Sequence, residues 1–548
     1  MKLLPRLAQE DELDLPVPAN RVSEHDAGAP APVHPSWVVG VAAVSVIARL
    51  GYLFFFSDPQ NAGDGMTDAY HHWQIAFLTK EVGLYHGPRL WDMRGWEYVW
   101  GLMHPALMNV LFFATGSTNI VLARLLSLAF GSLAVVLIFL LCHRYWGLRV
   151  AVVAGTYAAL SPVSIFNDVA GMAEPISIAL VLLGIWLLPR RGFLAGFALA
   201  LSAMARVEAW LFGAGLMIAY FWGASRTKAP RLPLAAGWLL VMGIYAKWLL
   251  DQTGNPIFPL TTSFQFVGLG AGGTGGQASH QLLEWMPFLV ATLASAGGLA
   301  WTLWRQPRSY LLLTYGFGYS ILSLATYLRY ATEWKERRFE FPLDFAAILI
   351  AVLLMRWLPQ QGAVLRPLSV PLSALGLIVA QGLWIPVQTA YVATEPLFRY
   401  EVALAHSIGA VYNLPEYRGG VLNMPGDEPT LLYVLARDEK LRGGNVTSQF
   451  YDPFYYLPSG YRYADHPAVV GPLLQCWLSD TRTRLLLISP PGPLSQSNAD
   501  YLAYIAGHPD WFHDTDAGLA GGWSLISVSV PAVSPSFCAQ AGRSAPHQ

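Results

Sequence analysis

Seven consecutive residues, Glu333, Trp334, Lys335, Glu336, Arg337, Arg338 and Phe339, form a polar cluster between two apolar runs, 309–328 and 341–355. Three cations and two carboxylates at a membrane boundary are energetically costly unless a charged partner meets them. A phosphate is the natural partner at a membrane face, and an arginine fork matches its oxygens. The first long polar stretch, 57–119, holds Asp64, Asp68, His71, His72, Trp96 and Glu97. A carboxylate there supplies the other half of a transfer reaction, because it can take a proton from an attacking hydroxyl.

Composition sets the frame that must position these residues. Hydrophobic residues make up 54% of the 548 and charged residues only 13%. Soluble globular chains carry roughly 25% charged residues, so a polytopic membrane protein is expected. No basic stripe with interleaved aromatics appears, and no nucleic-acid partner is expected. The first 36 residues are polar and read as a disordered cytoplasmic tail. They lack the order of a cleaved leader, so the run 37–56 is expected to act as its own targeting signal and to stay.

A helix crosses the hydrocarbon layer with about 20 apolar residues. Eleven stretches approach this: 37–56, 120–142, 150–166, 174–189, 193–206, 208–223, 234–250, 284–304, 309–328, 339–356 and 367–390. The short ones imply tilted or broken helices. With the N-terminus inside, the inner loops hold Arg144 and Arg149, Arg190 and Arg191, Arg226, Lys228 and Arg231, Arg305 and Arg308, and Arg356 and Arg366, with no acid among them. That is the positive-inside pattern. It places 57–119, 251–283, 329–338 and everything after 390 outside. Asp168, Glu174, Arg206, Glu208 and the 333–340 cluster then share one membrane face with the first loop.

The tail 391–548 has shorter apolar runs. Strands are expected at Gly420–Asn423, Arg484–Ser489 and Trp523–Val530, and helices at Asp427–Arg437 and Ser497–Gly507. This reads as a small soluble α/β domain outside the membrane. Cys142 lies in a span. Cys476 and Cys538 pair in an oxidising compartment or stay apart in a reducing one. The glycine-rich run 268–276 lacks the Gly-Lys-Ser/Thr ending of a phosphate loop and reads as an outer loop or lid. Asn445-Val446-Thr447 fits a glycosylation sequon.

Lys335-Glu336-Arg337-Arg338-Phe339, followed by Pro342, resembles the His-Lys-Glu-x-Arg-Phe motif of the α-mannosyltransferases that use dolichyl-phosphate mannose. Trp96-Glu97-Tyr98 resembles that family's Trp-Glu-Tyr/Trp segment. Asp68-Ala69-Tyr70-His71 is similar to the acidic first-loop motif of the wider GT-C superfamily, which includes the protein O-mannosyltransferases and the aminoarabinose transferases. The resemblance covers roughly 37–390. Trp334 stands where that family has His, and Asp-Ala stands for its usual Asp-Glu. The resemblance implies an all-α, GT-C-like polytopic membrane bundle of about eleven helices at 37–390, with the extracytoplasmic α/β domain after it. It implies a glycosyltransferase that takes a mannose-like sugar from a polyprenyl-phosphate donor to a lipid, glycan or protein acceptor; the loop charges put the site at the outer face, and the Ala/Gly/Leu-rich composition is the one pointer to a prokaryotic plasma membrane.

The chemistry can be built from the residues. Asp68 or Asp64 is expected as the base. Arg338, Arg337, Lys335 and Arg206 are expected to hold the donor phosphate, because fixed cations in a water-poor site stabilise a leaving phosphate. His71, His72, Trp96, Glu97 and Glu336 are expected to line the substrate. An acceptor hydroxyl that a single base deprotonates, attacking opposite the leaving group, implies inversion at the anomeric carbon. No cofactor is expected. A divalent metal between the acids and His71 or His72 is chemically possible but lacks a His-Glu-x-x-His spacing. Plainer readings stand beside these. Asp64 and Asp68 also suit helix caps or loop turns, His71 and His72 suit packed or solvent-facing side chains, and 333–338 suits a headgroup anchor. Arg206 with Glu208 suits a structural ion pair, Glu174 before Pro175 suits a helix start, and Arg49 is expected to snorkel outward. A transporter or flippase is the alternative function. It favours paired halves with matching broken helices, and no such symmetry is seen.

Overall fold

Proline is tolerated at a helix start, where its missing N–H has no partner anyway, and the first helix begins at one: α1 spans Pro35–Gly51 and continues through a π-helical turn, Tyr52–Phe56. The first helix therefore starts two residues before the expected 37, and residues 1–31 of the expected tail lie outside the described residues. The computed structural model describes residues 32–61, 67–84, 97–223, 231–262, 309–330, 335–360, 362, 367–368, 371–372, 375–376, 395–425, 428–448, 462–490 and 496–544. The glycine-rich run 268–276, the expected span 284–304 and most of 367–390 lie outside these residues.

The loop expected at 57–119 is partly helical. It contains α2 (Thr67–Val82), a single turn α3 (Glu97–Trp100) and α4 (Met103–Thr115). Asp68 accordingly lies in the first turn of a 16-residue helix, not in an open loop. The bundle continues with α5 (Val121–Trp146), α6 (Leu148–Leu160), α7 (Pro162–Val169), α8 (Glu174–Leu187), α9 (Gly192–Ala205), α10 (Glu208–Gly223) and α11 (Arg231–Thr253). Then come α12 (Tyr310–Tyr330) and α13 (Lys335–Val352).

Among the described residues four helices are long and apolar enough to cross a membrane, or five if the bent pair α6 and α7 is one span. Five shorter apolar helices accompany them. The stretch 150–166, read as one span, breaks at Ser161 with a bend of 53°. Pro162 explains the break: it has no N–H to give the carbonyl four residues back.

The C-terminal part is an α/β unit. It comprises α14 (Glu395–Tyr412), β1 (Val421–Met424), α15 (Pro429–Asp438), β2 (Val446–Ser448), α16 (Pro467–Asp480), β3 (Thr483–Ile488), α17 (Gln496–Gly507), β4 (Phe512–Asp514), β5 (Ser524–Val528) and α18 (Pro535–Ser544). The sheet order is β2-β1-β3-β5-β4, parallel across β2, β1 and β3 and antiparallel from β3 onward. The three expected strands and two expected helices occur within one or two residues of their expected bounds. Cys476 of α16 and Cys538 of α18 form a disulfide.

This unit does not hold its core to itself. One cluster joins Ala69, Tyr70, Trp73 and Phe77 of α2 and Met108 and Phe112 of α4 to Leu404, Leu431, Tyr433, Leu485 and Leu525. The Tyr433 ring lies 5.0 Å from Trp73 and 5.4 Å from Tyr70, and its hydroxyl donates to Gln60 Oε1. The first-loop helix is thus packed between bundle and sheet.

Two predictions follow from the sheet unit. Cys538→Ser, or reduction, is expected to destabilise it by on the order of 2–4 kcal/mol, read as a lower urea midpoint by the exchange of β3 amides. Glu401 of α14 has its carboxyl pushed up to about 8, chiefly by burial and then by neighbouring Glu428. The folded state keeps a proton that the unfolded chain releases near 4.5, so this contribution to stability is present below that pH and is lost as pH rises toward 8. Glu401→Gln is expected to flatten the decline in melting temperature between pH 5 and 8.5.

Candidate active site

The site is assembled where helix ends meet. Gly171, in the turn between α7 and α8, adopts φ +83°, a left-handed conformation that glycine tolerates and other residues disfavour. A Cβ placed on it would touch Ala69 of α2 at 3.6 Å and the Arg124 side chain at 3.5 Å. The first turn of α2, with Asp68, therefore rests on the turn that ends at Glu174. Gly101, at φ +87°, lies directly against the Met204 carbonyl at the end of α9, where no Cβ would fit. That contact brings the turn between α3 and α4 against the end of α9, next to Arg206 in sequence.

His71 and His72 are buried, at 5% and 1% exposure. Their rings meet Trp100 at 4.8 and 5.3 Å, and His72 also meets His104 at 4.8 Å. His104 is fully buried, and neither of its ring nitrogens has a hydrogen-bond partner among the described residues. The three histidines thus pack together with Trp100, and His71 and His72 follow Asp68 by about one turn of α2. Among the described residues no group of three His, Cys, Asp or Glu side chains is arranged to hold a metal ion.

Arg206 follows α9 in extended backbone, φ −145° and ψ 136°. The chain must unwind there because α10 restarts at Glu208 in a new direction. Its guanidinium is shared by two carboxylates, Glu208 at 3.0 Å and Glu174 at 3.4 Å. Of the residues expected to meet a donor phosphate, Arg206 is the one whose side chain is described. Tyr319 of α12 lies within electrostatic reach of Glu174, Arg206 and Glu340.

Behind this layer lies a second set of buried charges. Arg49 does not snorkel: it is 0% exposed and binds Asp168 at 2.6 Å. It also donates to the Ala159 carbonyl at 2.9 Å and the Ala158 carbonyl at 3.4 Å. In an unbroken helix those carbonyls would pair with the N–H groups of residues 163 and 162, and Pro162 has none. Gly131 of α5 makes room for the Asp168 carboxylate, since any Cβ there would overlap it. Glu340 of α13 faces Asp168, and Asp344, one turn on, accepts from Ser164 at 3.2 Å.

The opening turn of α13 carries Lys335, Glu336, Arg337 and Arg338. It begins one turn before Glu340, which anchors the helix to α7. The side chains of these four residues lie outside the described residues, as do those of Asp64, Trp96 and Glu97. The structure therefore brings Asp68, His71, His72, Glu174, Arg206 and the helix bearing 335–338 to one end of the bundle. Arg124, Asp344 and Tyr319 were not anticipated. The signal for Arg124 and Asp344 was available, because an ionisable residue inside an apolar run is a functional or structural contact by default.

No protein-family model matches the sequence, and no curated protein matches it. Solved structures do. ArnT from Cupriavidus metallidurans bound to undecaprenyl phosphate superposes with a TM-score of 0.54 at 15% identity, covering 92% of this chain and 100% of that one. Its apo form gives 0.53 at 14% identity, covering 91% and 99%. The Archaeoglobus fulgidus oligosaccharyltransferase in the apo form gives 0.50 at 11% identity, covering 83% and 69%. This chain has the GT-C fold. The resemblance carried by Lys335–Phe339 and Asp68–His71 is met at the level of fold. In this chain the apolar helices form the bundle, and the sheet unit covers the first-loop helix.

The ion pairs generate a test. Glu174 is 2% exposed, so removing its cation leaves a buried carboxylate unmatched. Arg206→Gln is expected to destabilise by about 3 kcal/mol. Adding Glu174→Gln is expected to restore part of it, as read by thermal unfolding in detergent through a double-mutant cycle.

Proposed function

We infer that this chain is an integral-membrane glycosyltransferase that moves a monosaccharide from a polyprenyl-phosphate donor to an acceptor hydroxyl. The observation that carries the reading is the convergence, at one end of a GT-C-fold bundle, of Asp68, buried Glu174 and Arg206, and the helix that opens with Lys335, Arg337 and Arg338.

Asp68 is the base in this reading. Its place in the first turn of α2, whose next residue lies against Gly171, sets it near the turn that ends at Glu174. It takes the acceptor proton as the hydroxyl attacks the anomeric carbon. The bond to the phosphate oxygen breaks, and the phosphate leaves as an anion. The cations of the α13 opening turn stabilise that charge, with Arg206 held nearby by Glu174 and Glu208. Attack from the face opposite the leaving group inverts the anomeric centre. His71, His72, Glu97 and Trp96 line the sugar and acceptor side, and Glu336 lies beside the phosphate cations. No step in this scheme needs a metal.

The bound undecaprenyl phosphate in one fold neighbour supports a lipid donor. The donor sugar proposed is a mannose-like hexose, on the strength of the Lys335–Phe339 motif. The acceptor is a lipid, glycan or protein. The Cys476–Cys538 disulfide supports an oxidising, extracytoplasmic side for the sheet unit, and hence an outer-face site in the plasma membrane of a prokaryote.

The deciding assay presents purified protein with a panel of radiolabelled polyprenyl-phosphate sugars. Wild type is expected to transfer at least one of them. Asp68→Asn is expected to lower kcat by roughly 10³-fold. Arg338→Ala is expected to lower kcat/KM by roughly 10²-fold, with expression retained in both. Equal turnover in all three proteins would remove this site assignment.

A further inference from the structure

We propose that Arg124 is a positioning residue that sets the distance between the Asp68 and Glu174 carboxylates. The inference rests on the transfer reading for its catalytic consequence, though not for its geometry. Arg124 lies in the first turn of α5 and is 0% exposed. Its Nε donates to the Val169 carbonyl at 2.6 Å. Val169 is the last residue of α7, so its carbonyl lacks a helical donor. The Nη2 group donates to Ser57 Oγ at 2.7 Å, and Nη1 donates to the carbonyls of Asn61, at 3.0 Å, and Asp58.

One planar fork therefore binds two segments that are far apart in sequence. One segment, 57–61, is the approach to α2. The other, at Val169, opens the turn that ends at Glu174. Tyr70, two residues after Asp68, donates to the Gln60 carbonyl at 3.2 Å and so ties α2 to the first segment. Ala69 and the Arg124 stem both lie against Gly171, which ties α2 to the second. A lysine keeps the charge but offers one point where the guanidinium offers a fork of five donors. The chemistry needed here is geometry rather than charge.

The test uses the full-length protein in detergent with polyprenyl-phosphate sugar donor. Arg124→Lys is expected to lower kcat by about 30-fold with donor KM within about threefold, since a displacement near 1 Å is enough to cost 10²-fold. Amides 67–72 are expected to exchange faster. Arg144→Lys, at the far end of α5, where the arginine donates to the Trp186 carbonyl, is the control and is expected to change neither readout. If Arg124→Lys does not fold, Ser57→Ala removes a single acceptor, is expected to lower the melting midpoint without preventing folding, and is expected to lower kcat about threefold. A folded variant with wild-type kcat, or one in which only KM moves, overturns the proposal. If wild type itself transfers no sugar, the functional reading fails and the clamp is judged by exchange alone: faster exchange at 67–72 supports it, and unchanged exchange overturns it.

Discussion

A guanidinium buried among apolar helices has to be met by acceptors where it lies, because removing it from water unmatched is prohibitive. Three arginines of this bundle obey that constraint, and the architecture follows them. Arg49 is met by Asp168 and by the carbonyls that Pro162 leaves open. Arg124 is met by Val169, Ser57, Asp58 and Asn61. Arg206 is met by Glu174 and Glu208. Each sits at a discontinuity: the broken span at Ser161, the end of α7, and the two unwound residues between α9 and α10. Irregular backbone at membrane depth persists only where protein satisfies it, and here cationic side chains satisfy it.

The same matching explains why the candidate site lies at helix ends. A helix end presents free carbonyls or N–H groups and a turn that redirects the chain. It therefore draws charges that a helix interior would reject. Glu174 opens α8, Glu208 opens α10 and Asp68 stands in the first turn of α2, each where the local dipole favours an anion. Glu340 and Asp344 then anchor α13 to α7 from the side, so the cationic opening turn is fixed relative to the acids by a contact inside the bundle.

Much of this was legible in the sequence because hydropathy and charge act locally. The apolar runs gave the helices, and the alternating short runs after 390 gave β1, β3 and β5 near their true bounds. The Lys335–Phe339 motif and the Asp68 segment led to the correct fold. The broken span at Pro162 was a local signal passed over, whereas the other misreadings share one cause: they depended on partners distant in sequence. Arg49 reads as a snorkelling cation until Asp168, 119 residues later, is known to face it. The stretch 57–119 reads as a loop because the apolar face of α2 is covered by residues beyond 400. Arg124 looked like part of an apolar span, since its acceptors are mostly main-chain atoms that no residue type announces.

The core shared by α2 and the sheet unit also sets an order of assembly. Tyr433 and Gln60 are 373 residues apart in the chain. When Tyr70, Trp73 and Phe77 leave the ribosome, the leucines that will cover them have not been made. Chains emerge at about 5–20 residues per second, so that face waits tens of seconds for its cover. Burying the apolar face of the helix that holds Asp68 is thus a late event in biogenesis, timed by the synthesis of the sheet unit that covers it.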